Sequence, residues 1–143
     1  MAESDLHESM TLPSTLDSVE TVEAQAEKFA VKAGFDEDTV GRIAMVSREA
    51  AANAVLHGNR SDPGKRVRAR FTLTPETLSI QVSDEGHGFN PENVPDPLSP
   101  EGLLKPSGRG IFLMRAIMDE VHFRQLHPGT EITLIKHRIK DAD

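Results

Sequence analysis

The strongest constraint on the fold is a change in the spacing of apolar residues between His57 and Arg66. From Ser14 to His57, apolar side chains recur every three or four positions, which is the period of helices that bury one face. From Arg66 to Ser83 they recur at every second position, which is the period of strands with one exposed face. The sequence therefore predicts helices followed by antiparallel strands, and such elements pack as two layers around one core.

Local signals set the expected bounds of the first two helices. The first helix is predicted to run from Ser14 to Gly34, because glycine is favoured at the end of a helix. Asp36 is placed to cap a second helix, which runs to about His57 before the pair Gly58–Asn59 stops it. We expect both helices to bury the faces that carry their apolar residues.

The remaining elements follow from shorter apolar runs. They are a strand at residues 10–12, a hairpin at residues 67–73 and 78–82, a third helix at residues 111–118, and strands at residues 121–123 and 131–139. We expect one folded domain over residues 10–139, between a flexible N-terminus (1–9) and a short tail (140–143). Its predicted fold class is α+β, a two-layer sandwich with helices on one face of a mainly antiparallel sheet.

Composition and charge exclude several classes of function. The chain has no Cys, so it can form neither disulfides nor a thiolate zinc site. Its formal charge of -7 argues against non-specific nucleic-acid binding, in which Lys and Arg neutralise phosphates. No stretch reaches the roughly 18 apolar residues of a membrane span, and the acidic N-terminus lacks the features of a secretory signal. We therefore expect a cytoplasmic protein.

The second helix carries three polar residues at four-residue spacing. Glu49, Asn53 and His57 are predicted to project from about the same helix face, among small alanines. An amide oxygen beside a carboxylate suits a magnesium–nucleotide site, where Asn53 could ligate the metal and Glu49 could take a proton. The alternative is that Asn53 and His57 only cap the helix end and Glu49 is solvated.

The strand at residues 78–82 leads directly into Asp84-Glu85-Gly86-His87-Gly88. Continuing the alternation places Asp84 on the buried side, where a carboxylate needs a hydrogen-bond donor. An adenine amine is a suitable donor, and Gly86 and Gly88 would let the backbone approach the ring. The alternative is an ordinary Asp-Gly turn after a strand.

Glycines also open the third helix, in the sequence Pro106-Ser107-Gly108-Arg109-Gly110. Unpaired N–H groups at a helix start bind phosphate, and Lys105 and Arg109 would add positive charge there. No Lys-Ser or Lys-Thr follows the glycines, so the sequence is not a P-loop, and a simple loop-to-helix junction is the alternative. Residues 85–109 show no periodicity, and a loop of that length is usually functional or disordered.

The order of these motifs resembles the N-box, G1-box and G2-box of the GHKL ATP-binding superfamily. The resemblance is greatest to the bacterial anti-sigma-factor serine-protein kinases. It rests on residues 49–58 (EAAANAVLHG), 83–88 (SDEGHG), 107–114 (SGRGIFLM) and 118–121 (MDEV), and on Gly129-Thr130 before the last strand. The superfamily's Bergerat fold implies a mixed, mainly antiparallel sheet covered on one face by three helices.

The resemblance also implies a role for each motif. Glu49 would be the catalytic base, and Asn53 would be the Mg²⁺ ligand within the ATP site. Asp84 would recognise adenine, supported by Thr130 through a hydroxyl or a bridging water, and residues 90–107 would form the ATP lid. The other ATP-binding residues would be Gly86, Gly88, Lys105, Gly108, Arg109 and Gly110. Arg109 departs from the family pattern, because relatives often carry an uncharged residue there.

The implied reaction moves the γ-phosphate of ATP onto a serine of an anti-anti-sigma partner with the STAS fold. In this family the unphosphorylated partner and a sigma factor compete for the kinase, which is commonly a homodimer. Two alternatives stay open: a nucleotide-dependent binding module without kinase activity, and an ATP-binding domain related to sensor histidine kinases. The second alternative would need an upstream helical hairpin with a phosphoacceptor His, which we do not expect here.

The basic strand with Arg66, Arg68 and Arg70 is either a docking face or, as we expect, a solvated one.

Overall fold

A computed structural model of the chain describes residues 5–62, 64–86 and 106–138. The elements are β1 (Leu6–Pro13), α1 (Leu16–Lys32), α2 (Glu37–Ala52), a π-helical segment (Asn53–Gly58), β2 (Arg66–Leu73), β3 (Thr77–Ser83), α3 (Pro106–Ile117), β4 (Glu120–Gln125) and β5 (Thr130–His137). The strands form one sheet in the order β1-β2-β3-β5-β4. The predicted α+β class is confirmed. The mixed sheet implied by the family resemblance is not seen among the described strands, because every pairing between them is antiparallel.

The strand register decides which face of the sheet is buried. Phe71 of β2 pairs with Ile80 of β3, which pairs with Leu134 of β5, and all three are fully buried. The ring of Phe29 in α1 stacks on Phe71 with ring centroids 5.4 Å apart. Met114 of α3 is also fully buried and belongs to the same apolar cluster. The core therefore lies between the helices and this face of the sheet.

The opposite face of the sheet carries polar side chains. Arg66, Arg68 and Arg70 occupy the exposed alternate positions of β2. Arg68 pairs with Ser83 and Arg70 pairs with Gln81 across the β2–β3 ladder. The predicted alternation of β2 is therefore confirmed, with its arginines directed away from the core.

Side-chain caps begin the first two helices. Thr15 accepts a 3.4 Å hydrogen bond from the N–H of Ser18 at the start of α1, and Asp36 accepts a 2.7 Å bond from the N–H of Thr39 at the start of α2, as predicted. The bond from Thr39 is the main reason why the pKa of Asp36 lies below its ordinary value. Gly34 follows α1 with a φ of +88°, in the left-handed region that favours glycine after a helix. Within the described residues, no helix combines the length and the apolarity needed to cross a bilayer.

Several element boundaries differ from those predicted, among them those of β1 and α2. Strand β1 begins at Leu6 rather than at Met10, so residues 6–9, expected in a flexible N-terminus, pair with β2 instead. These four residues are exposed because β1 lies at the edge of the sheet, so no apolar alternation revealed them. Helix α2 ends at Ala52, and the turn up to Gly58 is π-helical rather than α-helical.

We expect Phe71→Ala to lower the free energy of unfolding by about 3–5 kcal/mol, because it removes a buried ring and leaves a cavity. Phe112→Ala is the matched control, since that residue is 37% exposed, and it should cost less than about 1 kcal/mol. Urea denaturation of both variants measures the difference. Equal losses would contradict the core assigned to this face of the sheet.

Candidate functional site

The first group of site residues meets where α2 approaches α3. Glu49 lies in the last turn of α2, and Asn53 begins the π-helical segment; both are partly buried. Gly110 of α3 is buried against them. A Cβ at position 110 would lie 3.2 Å from Glu49 Oε2 and 3.5 Å from Asn53 Nδ2. The carboxylate and the amide predicted to act together therefore lie side by side, next to a glycine predicted to hold phosphate.

The chain leaves α2 through a wider turn than an α-helix provides. The N–H of Asn59 donates to the carbonyl of Ala54, five residues earlier, at 2.8 Å. π-Helical turns are rare in proteins, and those that occur are frequently found at functional sites. His57 lies within this π-helical segment and is exposed, whereas Glu49 and Asn53 are partly buried. The two partly buried residues both lie beside Gly110, as their predicted alignment requires.

The second group is centred on Asp84, which directly follows β3. The residue is 8% exposed, as strand alternation predicted. Its Oδ1 accepts N–H bonds from Gly86 at 3.0 Å and from Thr130 at 3.2 Å. Burial raises the pKa of Asp84 above its ordinary value, and the two amide bonds and the charge of Lys65 oppose this rise. The fold thus fixes the position of a carboxylate whose charged form it disfavours.

Thr130 begins β5 and is 4% exposed. The N–H of Asp84 donates to the carbonyl of Thr130 at 3.0 Å, in addition to the bond from the Thr130 N–H to the carboxylate. Thr130 therefore lies beside Asp84, as the family resemblance implied. Two of the hydrogen bonds that join the residues use the backbone of Thr130. The contact through its hydroxyl or a bridging water stays a prediction.

Three glycines allow the backbone to close around Asp84. A Cβ at Gly58 would lie 2.2 Å from Asp84 Oδ2, and a Cβ at Gly86 would lie 1.7 Å from the carbonyl oxygen of Gly58. A Cβ at Gly129, whose φ is +109°, would lie 1.9 Å from the carbonyl oxygen of Asp84. Carbon atoms do not approach so closely, so any side chain at these positions would displace the backbone around the carboxylate.

The π-helical segment joins the two groups of site residues. Its first residue, Asn53, lies beside Gly110, and its last residue, Gly58, lies against Asp84. A helical segment of this length spans at most about 9 Å along its axis. Residues from α2, from the start of α3 and from the end of β3 therefore converge on one region of the molecule.

Several predicted site residues lie partly or wholly outside the described chain. Gly88, Lys105 and residues 90–105 of the predicted lid are outside the described residues. Pro106 and Ser107, expected at the end of the lid, are the first residues of α3. Gly108 and Arg109 lie in the first turn of α3, as predicted. The surroundings of the Arg109 side chain are outside the described part of the chain.

The sequence patterns did not reveal the role of Asn59, which had been interpreted only as a helix stop. Asn59 is fully buried, and its Oδ1 accepts a 2.8 Å bond from the N–H of Glu85. The two residues are 26 positions apart, so no local pattern could have linked them. The close approach of Gly58 to Asp84 was missed for the same reason.

The arrangement suits a purine nucleotide with a divalent cation. A buried carboxylate accepts a hydrogen bond from an amine, and Gly110, the fifth residue of α3, leaves room beside Glu49 and Asn53. Within the described residues, no group of three or more His, Asp or Glu side chains could hold a metal ion. Asn53 could supply one oxygen ligand to Mg²⁺, which usually takes its other ligands from phosphates and water.

Comparison with known protein families gives a consistent result. Residues 12–136 match the family model described as the histidine kinase-like ATPase domain. The chain is 34% identical over 108 residues to an anti-sigma F factor of Anoxybacillus flavithermus, and the alignment covers 72% of this chain and 73% of that protein. It is 28% identical over 134 residues to the serine-protein kinase RsbW of Bacillus subtilis, with 90% of this chain and 83% of that protein covered.

A solved structure shares the fold. The crystal structure of the RsbU and RsbW domains of a Mycobacterium tuberculosis protein matches with a TM-score of 0.62 and 24% sequence identity. The match covers 94% of this chain and 32% of the other, so the present chain spans about a third of that longer protein. At this level of identity the likeness concerns the fold alone.

We expect Asp84→Asn to be more stable than the wild type at neutral pH. Because the folded-state pKa of Asp84 is raised, its ionisation destabilises the fold as the pH rises through that pKa. Below the ordinary pKa of an aspartate both proteins carry a neutral group, so the advantage of the variant should shrink there. Urea denaturation between about pH 3 and pH 7.5 measures this difference.

Asp38→Asn is the matched control for this experiment. Asp38 is an exposed carboxylate in the first turn of α2, where negative charge favours the helix. Its replacement should give no gain in stability at neutral pH. A pH-independent difference between Asp84→Asn and the wild type would contradict the environment assigned to Asp84.

Proposed function

Because the chain belongs to the histidine kinase-like ATPase domain family, and within it to the anti-sigma-factor serine-protein kinases, we propose that it is an ATP-dependent protein serine kinase that also binds a sigma factor. Its protein substrate is an anti-anti-sigma factor with the STAS fold. Partner switching follows if the unphosphorylated anti-anti-sigma factor and the sigma factor compete for this chain.

One observation carries the proposal: a carboxylate, an amide and a glycine lie together at one end of the π-helical segment, and a buried carboxylate lies at its other end. Glu49, Asn53 and Gly110 form the first cluster, and Gly58 packs on Asp84 at the second. This is the arrangement that phosphoryl transfer needs, because catalysis there depends mainly on positioning and on stabilising charge. The short segment between the clusters fixes their separation.

The buried end of the site recognises the purine. Asp84 accepts a hydrogen bond from the exocyclic amine of adenine, and the amides of Gly86 and Thr130 hold the carboxylate in place for this contact. Gly86 and Gly88 keep the approach to the ring free of side chains. A guanine ring would present a carbonyl oxygen at the same position, which a carboxylate repels.

The other end of the site carries the chemistry. The serine Oγ of the partner attacks the γ-phosphorus, the bond to the bridging oxygen breaks, and ADP leaves with that electron pair. Glu49 accepts the serine proton. Asn53 would hold Mg²⁺, which would supply neutralisation of the phosphate charge.

The start of α3 and the segment before it complete the triphosphate site. Gly108 lies in the first turn of α3, where backbone N–H groups are unpaired, and Gly110 leaves room for phosphate beside Glu49 and Asn53. Lys105 and Arg109 add positive charge to this site. Residues 90–107 form a lid that includes the first residues of α3. In this proposal the protein acts in the cytoplasm, as a homodimer, through one ATP-binding domain that begins with β1 at Leu6.

We expect Glu49→Gln to slow phosphate transfer by about 10²–10⁴-fold while ATP affinity changes less than about threefold, because the amide cannot accept the serine proton. The assay combines γ-labelled ATP, Mg²⁺ and candidate STAS proteins. Glu37→Gln is the matched control, since it makes the same change at an exposed position of the same helix. Undiminished transfer by Glu49→Gln would refute the assignment of the base.

We expect Asp84→Asn to weaken ATP binding by about 10–100-fold, because an amide replaces a charged acceptor of the adenine amine. Calorimetry with ATP and Mg²⁺ measures the change, and GTP should lose no more than a few-fold. Because this variant is expected to be more stable than the wild type, unfolding cannot explain the loss. Equal ATP affinity in the two proteins would remove the purine-recognition role from Asp84.

A further inference from the structure

Three residues form a closed ring of hydrogen bonds behind the Asp84 turn. The side-chain Nδ2 of Asn59 donates to the carbonyl of Arg66 at 3.0 Å. The backbone N–H of Arg66 donates to the Oε1 of Glu85, and the backbone N–H of Glu85 donates to the Oδ1 of Asn59 at 2.8 Å. Each residue of the ring therefore donates one bond and accepts one bond.

The ring joins three segments that are distant in sequence. Asn59 directly follows the π-helical segment, Arg66 begins β2, and Glu85 lies between Asp84 and Gly86. Asn59 has no exposed surface, and its backbone N–H donates to Ala54 inside the helical turn. The two bonds made by the Asn59 side chain are partly buried, and the bond from Arg66 to Glu85 is exposed. Hydrogen bonds that are linked in this way polarise one another.

The chemistry of the ring is specific to an asparagine at position 59. Its amide supplies a donor and an acceptor at the same time, to Arg66 and to Glu85. Aspartate would keep the acceptor and lose the donor, and alanine would lose both. At Glu85, by contrast, glutamine would keep the carbonyl oxygen that accepts from Arg66.

The ring bears directly on the two residues whose contact shapes the buried end of the site. Gly58 precedes Asn59, and Asp84 precedes Glu85, so the bond between Asn59 and Glu85 ties together the neighbours of Gly58 and Asp84. A Cβ at Gly58 would lie only 2.2 Å from the carboxylate, so the backbone of Gly58 lies directly against the Asp84 side chain. The chain after Asn59 also turns through Arg60 and Ser61 at φ values of 52° and 57°, which non-glycine residues rarely adopt.

We propose that Asn59 is a positioning residue for the nucleotide site: its amide closes the ring that holds the Asp84 carboxylate against the end of the π-helical segment, and it thereby sets purine selectivity. Asn59 acts through Glu85 and does not touch the nucleotide. This role rests on the proposed function, because it requires that Asp84 recognises adenine. A residue with a purely structural role would affect stability without affecting selectivity.

The test compares Asn59→Ala, Asn59→Asp and Glu85→Gln with a control of matched stability, Leu73→Ala. Leu73 is buried at the opposite end of β2 from Arg66. We expect Asn59→Ala and Asn59→Asp to weaken ATP binding about tenfold and to reduce the preference for ATP over GTP. Transfer at saturating ATP should change less than about threefold, because the contact is made equally before and during the reaction. Glu85→Gln should retain ATP affinity within about threefold.

A second measurement tests whether the ring of hydrogen bonds forms in the absence of nucleotide. Amide hydrogen exchange at Glu85 and Gly86 in the free protein should accelerate at least about tenfold in Asn59→Ala, relative to Ile80 in the centre of β3. Leu73→Ala should leave this ratio unchanged. An unchanged ratio in Asn59→Ala would refute the ring.

The two measurements separate failure of this inference from failure of the proposed function. If the wild type binds ATP but Asn59→Ala and Leu73→Ala share its affinity and its preference for ATP, Asn59 has no positioning role. If the wild type binds no ATP with Mg²⁺, the proposed function is refuted, and the nucleotide role of Asn59 falls with it. Loss of ATP preference in Asn59→Ala, with retention in Leu73→Ala and Glu85→Gln, supports the inference.

Discussion

The burial of the Asp84 carboxylate is the interaction on which the rest of the site depends. A carboxylate removed from water is unfavourable unless donors surround it, and here the amides of Gly86 and Thr130 supply two hydrogen bonds. The amide of Thr130 is available only because β3 ends and β5 begins at the same end of the sheet. The antiparallel pairing of two central strands therefore determines where the carboxylate can lie.

The π-helical segment connects this buried carboxylate to the helix that carries Glu49. A glycine must end the segment, because a side chain at Gly58 would overlap the carboxylate. The next residue, Asn59, then lies where its amide reaches both β2 and the turn after β3. This one wide turn thus sets two contacts. At its start it places Asn53 beside Gly110, and at its end it places Gly58 against Asp84. Regular helix geometry would not combine the two.

Sequence patterns predicted those features that local physical chemistry determines. The helices, the hairpin, the cap at Asp36 and the burial of Asp84 follow from apolar spacing and hydrogen-bonding preferences within a few residues. The start of β1 at Leu6 was missed because an edge strand has little buried surface and so no apolar alternation. The π-helical turn and the bond between Asn59 and Glu85 were missed because they depend on contacts between residues that are far apart in the sequence. The proposed roles of Glu49, Asn53 and Asp84 came from motif order, and the structure adds the proximity of their side chains to the glycines of the site.

The unfavourable ionisation of Asp84 and its proposed selectivity have one physical origin. A neutral amide at this position would remove the destabilisation that burial of the charge causes, yet an amide can turn to offer either a donor or an acceptor and so accepts adenine and guanine alike. A buried carboxylate offers only acceptors, which makes it favourable toward the adenine amine and repulsive toward the guanine carbonyl. Stability is thus reduced at the point where discrimination is needed, as is common in functional sites. The surrounding glycines and the ring through Asn59 then serve the same end, because selectivity by charge requires that the carboxylate cannot rotate or withdraw when the wrong base enters.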